Sequence, residues 1–585
     1  MSTPTLGQKA EPVSAGPEAR TGSVGIAMVG SGGDGVVLLG HLLLQTAAKQ
    51  GLYGVMVQSY GPQIRGGESA VVLRVGESEI QYEGDQVDVL LCFRTTDMQR
   101  FQGTVRLGPQ CHVLLDAHDE GQLPAWLGYQ GTPWRFPFAR IENGVEVPGE
   151  PKNMVGLALL CRMLGWPQEL ARAVLTERFG HRPPVLAKNL AALDRAWAGE
   201  APATLARLQG SGKPLVVESG NEASARGGID AGMRFFAGYP ITPSSEIMET
   251  LIDELPEAGG RLIQAEDEMA AMGMVIGASF AGVPAMTATS GPGLSLMTEM
   301  IGLSSMAEVP SVIVDCQRGG PATGQPSRME QADLDHSIYG GHGDFPRAVL
   351  GVYDVVHAHD VMHKAFQLAE TYQIPVIVLS DAYIAQRRQI RDPHGELPPP
   401  PQRRIWKAGD EPLRFKLQEG EVVAPFRIPG TPGGTYLAAG IEHTPEGFPT
   451  ADTGTHHQMN VKRFLKVEPM AEETAGWFRT LGRPDAKRGI LAWGSTYGLL
   501  REWVVRHPEY RAFLPEILFP YPLAAFEEWR RGLEWLGVVE LSYRGQLRRF
   551  LCGLTDMGST HGLTRSGGVP LSGPELDQLV EGAQR

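Results

Sequence analysis

Residues 24–51 read VGIAMVGSGGDGVVLLGHLLLQTAAKQG. The first seven form an apolar run long enough for a strand and too short for a helix. SGGDG is a turn, because glycine tolerates the backbone angles that a sharp reversal needs. VVLLGHLLLQTAAKQ is then an apolar helix, and Gly51 is its stop signal. Strand-like pieces recur downstream at GVMVQS (54–59), AVVLRV (70–75), VDVLLCF (87–93) and CHVLLD (111–116). Strands alternating with helices predict an α/β unit with a parallel sheet, here over residues 24–205.

The pattern repeats twice. After a linker over 206–214, containing GSGKP, a second α/β unit is predicted over 215–395. Its strands PAMTAT (284–289), SVIVDC (311–316) and PVIVLS (375–380) alternate with Ala/Met-rich helices. Pro398–Pro401 is a four-proline run, a stiff spacer. Residues 396–480 are polar, show little periodicity and read as a linker and excursion. A third α/β unit is predicted over 481–585, from RGILAWGS (488–495), EILFPYP (516–522) and WLGVVELS (535–542). Residues 1–23, polar and rich in Pro, Ala and Gly, are expected to be a disordered tail. The fold class is therefore α/β, with three parallel-sheet domains.

Composition narrows the function. The chain has 585 residues, with 52 Lys+Arg against 66 Asp+Glu, a net charge of −14. That balance opposes a general nucleic-acid binder, which needs a basic face. No apolar run reaches the eighteen or so residues of a membrane span, and the N-terminus carries no apolar signal core. The cysteines at 92, 111, 161, 316 and 552 are not clustered. They exclude a self-contained zinc or iron–sulfur site and read as thiols in a reducing cytoplasm.

The motifs differ in weight. Gly30–Gly35 (GSGGDG) is a glycine turn at a helix start, a context that suits phosphate. No Asp or Glu stands at 49–59 to meet a ribose, so a nicotinamide or flavin site is disfavoured and a tight strand–helix turn is the plainer reading. Gly33-Asp34-Gly35 also opens the motif that holds magnesium diphosphate in thiamine enzymes. That motif needs an asparagine shortly downstream, and the next is Asn143.

The second unit is richer. Tyr239-Pro240-Ile241-Thr242-Pro243-Ser244-Ser245-Glu246 is a proline-stiffened turn with three hydroxyls at a helix start, suited to an anion or to simple capping. Gln264-Ala265-Glu266-Asp267-Glu268 leads into a helix so apolar that it is expected to be buried. Its carboxylates are either first-turn charges or a functional acid in a desolvated site. Thr287–Gly293 (TATSGPG) and Gln317-Arg318-Gly319-Gly320-Pro321 follow two further strands. Polar turns after parallel strands converge on the sheet edge where α/β proteins bind ligands. Arg318 there offers a planar fork to a carboxylate, or a surface ion pair. His456-His457 reads as solvated.

Taken together, these motifs resemble the 2-oxoacid:ferredoxin oxidoreductases, in particular the large subunit of the two-subunit type. GSGGDG with YGPQIRGGES (60–69) looks like the gamma-like Rossmann-type module. YPITPSSE, QAEDE, TSGPG and QRGGPATGQPS (317–327) look like the module that grips the pyrimidine of thiamine diphosphate. LAAGIEHTPEGFP (437–449) resembles 2-oxoglutarate-type members. RGILAWGSTYG and VVELSYRGQL (538–547) look like a transketolase C-terminal-like module.

The resemblance implies oxidative decarboxylation of a 2-oxo acid with coenzyme A, with reduced ferredoxin as the electron product. It implies thiamine diphosphate shared with a beta subunit that carries Mg²⁺ and a [4Fe-4S] cluster, and an α₂β₂ assembly in the cytoplasm. Neither nucleic acid nor membrane is an expected partner. Glu268 falls at the pyrimidine-activating glutamate, with Glu266 a competing assignment. Tyr239, Pro240, Ile241, Thr242, Ser290 and Gly291 fall at cofactor-binding positions. Thr242 and Arg318 match the residues that hold the substrate's 1-carboxylate. Ser327 matches a hydroxyl near the substrate's distal end. Pyruvate or a branched-chain 2-oxo acid is the alternative substrate, and a non-catalytic scaffold the alternative class. Arg226 stands where the family has an apolar residue; it either pairs with an acid or alters a subunit contact.

Overall fold

The computed structural model describes residues 22–60, 67–139, 141–142, 145–146, 149, 151–200, 204–205 and 207–583. All but the last two residues of the predicted tail, and 61–66 of the YGPQIRGGES stretch, lie outside the described residues. The chain divides into two compact units. One combines residues up to 219 with 386–395; the other combines 220–385 with 396 onward.

In the first unit, strand Ser23–Gly30 is buried beyond its first residue, as its apolar run requires. Helix Val36–Gln50 begins after Gly35 and ends at Gly51, both left-handed at φ 74° and 79°. Its sheet has eight strands, in the order 134–136, 107–116, 87–92, 23–30, 69–76, 53–60, 388–391 and 216–219. The first four run parallel. The others pair antiparallel, so this sheet is mixed rather than parallel throughout. For strands 53–60 and 69–76 the reason is local. The short stretch between Tyr60 and Ser69 cannot hold the crossover of a dozen or more residues that a parallel pair needs.

Strands Val216–Ser219 and Arg388–Arg391 come from the stretch predicted as the second unit, yet they complete this sheet. A buried ion pair between Glu218 and Arg391 joins them. The linker is pinned too: Ser211 N donates to Gly51 O at 3.0 Å.

The second unit holds two sheets. One has the order 261–264, 235–238, 285–289, 311–317, 375–381, 348–351 and 517–519. Its first six strands are parallel. The last, Ile517–Phe519, comes from the predicted third unit and pairs antiparallel with Ala348–Gly351. The five-stranded sheet runs 478–482, 510–515, 488–491, 535–540 and 561–564, antiparallel only at its first strand. One apolar core joins Ile313, Val349 and Ile377 to Leu491, Trp493, Phe513 and Val538, which is why the two sheets form one unit.

The stretch read as an excursion carries more structure than its composition suggests. Helices Thr453–Phe464 and Val467–Thr474 form there. Buried cations anchor the stretch to the neighbouring helices: Arg403 pairs with Glu370, and Lys462 and Lys466 with Glu308. All five cysteines are free thiols, four of them buried. No helix among the described residues is long and apolar enough to cross a membrane.

Candidate active site

Strands Phe235–Gly238, Arg261–Gln264, Ala285–Thr289 and Ser311–Gln317 are parallel, so the four turns after them meet at one sheet edge. The 239–244 turn is clamped from below. Asn221 Nδ2 donates to Pro243 O at 2.8 Å, and Arg318 Nη1 donates to Thr242 O at 2.6 Å. Ser244 spends its hydroxyl inside the turn, on Ile241 O at 3.0 Å. Tyr239, Pro240 and Thr242 remain exposed, and Ile241 half-buried.

The two competing glutamates part company here. Glu266 is exposed, whereas Glu268 is buried as the first residue of helix Glu268–Phe280. Asp267 caps that helix, its carboxylate accepting from Ala270 N at 2.7 Å. Glu268 packs against the next turn so closely that Gly293 has no room for a side chain. A Cβ there would lie 2.8 Å from Glu268 Oε1 and 2.0 Å from Thr289 Oγ1. In the strand Ala285–Thr289 and the turn after it, the hydroxyls of Thr287 and Ser290 are buried without hydrogen-bond partners.

Arg318 is buried, and its Nε has no partner. Burial lowers its pKa, offset in part by two acids, Asp333 and Asp315. A Cβ at Gly291 would lie 2.8 Å from Asp333 Oδ2. Thr242, Arg318, Asp333, Gly291, Ser290, Gly293 and Glu268 thus form one connected cluster. Ser327 does not join it. It is exposed on the loop after Gly319, and its side chain makes no hydrogen bond to the described residues.

Asn221, Asp315 and Asp333 were not singled out from the sequence. Asp315 carries a legible signal, a carboxylate inside the apolar strand run SVIVDC. Asp333 carries none. Arg226 pairs with Glu254 through two guanidinium nitrogens, at 2.8 and 3.1 Å. His456 is exposed and bonds Glu442 at 2.5 Å. At the GSGGDG turn, Asp34 accepts from Ser31 N at 2.9 Å and Ser31 Oγ donates to Asp97 at 2.7 Å. Two carboxylates at that helix mouth suit a tight turn and oppose a phosphate.

The helix after Glu268 departs from expectation. It is not enclosed: Met269 is 47% exposed and Met274 38%. Gly273 and Gly277 face open space, with nothing within 4 Å of an added Cβ. Tyr239 and Leu296, on neighbouring elements, are exposed as well.

Relatives match this architecture along its length. The 2-oxoglutarate oxidoreductase subunit KorA of Mycobacterium tuberculosis is 30% identical over 96% of this chain and 92% of its own. The chain belongs to the 2-oxoacid:ferredoxin oxidoreductase family. It is an alpha subunit of that family. The 2-oxoglutarate synthase subunit KorA of Methanothermobacter marburgensis is 44% identical over 47% of this chain and 73% of that protein. The solved 2-oxoglutarate:ferredoxin oxidoreductase from Magnetococcus marinus, with 2-oxoglutarate, coenzyme A and succinyl-CoA bound, has a TM-score of 0.85 and 32% identity. That match covers 96% of this chain and 100% of the other. Residues 226–463 match the family model described as pyruvate flavodoxin/ferredoxin oxidoreductase, thiamine diphosphate-binding. Residues 25–198 match that of pyruvate ferredoxin/flavodoxin oxidoreductase. The thiamine diphosphate-binding domain of this oxidoreductase subunit therefore contains the whole cluster around Glu268. Its donors fit the group: a buried carboxylate, two buried unpartnered hydroxyls and a glycine cradle with no space for a Cβ.

Proposed function

We propose that this subunit supplies the pyrimidine-holding half of a 2-oxoglutarate:ferredoxin oxidoreductase active site. The reaction converts 2-oxoglutarate and coenzyme A to succinyl-CoA, CO₂, a proton and two electrons, or runs in reverse. A beta subunit supplies the Mg-diphosphate motif and a [4Fe-4S] cluster that passes the electrons to ferredoxin, in an α₂β₂ cytoplasmic assembly. The chain's lack of a GDG…N motif and of clustered cysteines supports that division. So does the uncovered apolar face beside Glu268.

The observation that carries the reading is the buried Glu268 carboxylate, set against Gly293 on the edge where Arg318 clamps Thr242. Thiamine diphosphate, when bound, supplies the electron sink for decarboxylation. Glu268 would hold the pyrimidine end of that cofactor through its buried carboxylate, which can share a proton with a ring nitrogen. Ser290 and Gly291, with Tyr239, Pro240 and Ile241, would hold the same end of the cofactor. Thr242 offers its hydroxyl, and Arg318 its remaining guanidinium donors, to the substrate's 1-carboxylate. Ser327 is the hydroxyl assigned to the substrate's distal end; it stands exposed on the loop after Gly319. The preference for 2-oxoglutarate over pyruvate is supported by the relatives' names and by the bound 2-oxoglutarate of the Magnetococcus enzyme.

Glu268→Gln tests the assignment in the assembled complex. Turnover should fall roughly 10²–10⁴-fold, as for loss of a proton-transfer group, with assembly unchanged. Near wild-type turnover would remove Glu268 from the mechanism.

A further inference from the structure

Asp315 lies inside strand Ser311–Gln317, every residue of which is buried. Neither of its carboxyl oxygens meets an N–H or hydroxyl donor, and Asp333 Oδ2 also lacks one. The two carboxyl groups lie side by side: Asp333 N donates to the side chain of Gln317, two residues along the same buried strand from Asp315. Two buried carboxyl groups side by side, with no N–H or hydroxyl to meet these oxygens, do not both stay ionised, and a proton between them satisfies both.

We propose that Asp315 and Asp333 hold one proton between them and act as a positioning pair, setting the charge that Arg318 presents to the substrate's carboxylate. This rests on the reading of Arg318 as the carboxylate clamp. Asp315 is the acid of the pair: burial pushes its pKa well up, and the neighbouring Asp333 adds to that. Asp333 is the acceptor. Burial raises it too, while the neighbouring Asp315 carboxyl and the charge of Arg318 pull the other way.

The pair touches both sides of the site. Asp333 Oδ2 lies where a Gly291 side chain would be, 2.8 Å from an added Cβ. Asp333 N donates to Gln317 Oε1 at 3.0 Å, beside Arg318, and Gln317 Nε2 donates to Ser380 O at 2.9 Å. The charged groups facing the pair are Arg318 and Glu330. The Cys316 thiol, next along the strand, is pushed up by burial and by Asp315, Asp381 and Glu246.

Charge counting gives the consequence. With one shared proton the pair carries one negative charge, which Arg318 balances. Without it the pair carries two and opposes the arriving carboxylate. KM for the 2-oxo acid should therefore rise with pH as the shared proton is lost.

The test uses the assembled complex. Asp315→Asn keeps an N–H donor to Asp333 and fixes the charge at one. Its KM should lose the alkaline rise, while Asp315→Ala, with no donor, should show a KM at least about tenfold higher than Asp315→Asn, the loss of a hydrogen bond to a charged group. Infrared difference spectra, wild type minus Asp315→Asn, should show a carboxylic-acid C=O band at neutral pH. Asp333→Asn is the second variant, should Asp315→Asn not assemble; it also removes the alkaline rise. Arg318→Ala separates the two claims. An unchanged KM in Arg318→Ala overturns the clamp. A raised KM there, with a wild-type pH profile in Asp315→Asn or Asp333→Asn and no acid band, overturns the pair.

Discussion

Gly293 shows how little slack the site has. A Cβ would meet both Thr289 Oγ1 and Glu268 Oε1 inside contact distance, so Gly293→Ala must move the Glu268 carboxylate or the turn. Turnover should fall by roughly 10²-fold, the cost of a misplacement near 1 Å; wild-type kcat would show that the turn yields freely. Arg318→Ala should raise KM roughly 10- to 150-fold, from about 1.5–3 kcal/mol for a charge-assisted bond. It should also lower kcat somewhat, because Arg318 holds Thr242 O; a KM effect alone would place the guanidinium on the substrate only. Much of this was legible in sequence, because hydroxyl and glycine turns after apolar strands mark a binding edge. That Glu268 is buried and Glu266 exposed was not, since the helix start decides it. Asp333 was illegible because it stands in an irregular stretch, outside any strand run or motif.

At the scale of elements, helix Thr453–Phe464 and the turn after it explain why the 396–480 stretch reads as featureless. Its inward positions are Met459, Lys462, Arg463 and Lys466, all buried. The spacing is helical, but cations stand where a hydrophobicity pattern expects apolar residues. They are neutralised at Glu308 and Glu442. Burial alone would raise the Glu308 carboxyl; Lys462, Lys466 and Arg414 outweigh it and hold it well below the usual range. A depressed acid stabilises the fold above its ordinary pKa and loses that contribution as pH falls. Melting temperature should therefore drop on acidification below about pH 4–5, and Glu308→Ala should cost about 3–5 kcal/mol, as for one partner of a buried pair. An unaltered melting point in Glu308→Ala would contradict the network's role. Asp315 has the opposite sign: its raised pKa gives stability at low pH that is lost as pH rises. In the first sheet, the parallel prediction fails where a short connection, not strand composition, sets direction.

For the whole molecule, the sequence pattern marks three α/β regions, and the structure joins the latter two through one core and the shared strand Ile517–Phe519. Such strand exchange leaves no trace in composition. At one sheet edge the fold gathers the Glu268 carboxylate, the Arg318 guanidinium and a glycine cradle; on the proposed reading these are half a site, completed by a partner's diphosphate motif. The most direct test is anaerobic. The tagged subunit is isolated with its copurifying partner, and methyl viologen reduction is followed with 2-oxoglutarate and with pyruvate, each with and without coenzyme A. The account predicts reduction that needs coenzyme A and is strong with 2-oxoglutarate and weak with pyruvate. A pyruvate preference would contradict the substrate assignment. No reduction by an iron–sulfur complex that retains thiamine diphosphate would contradict the catalytic reading itself.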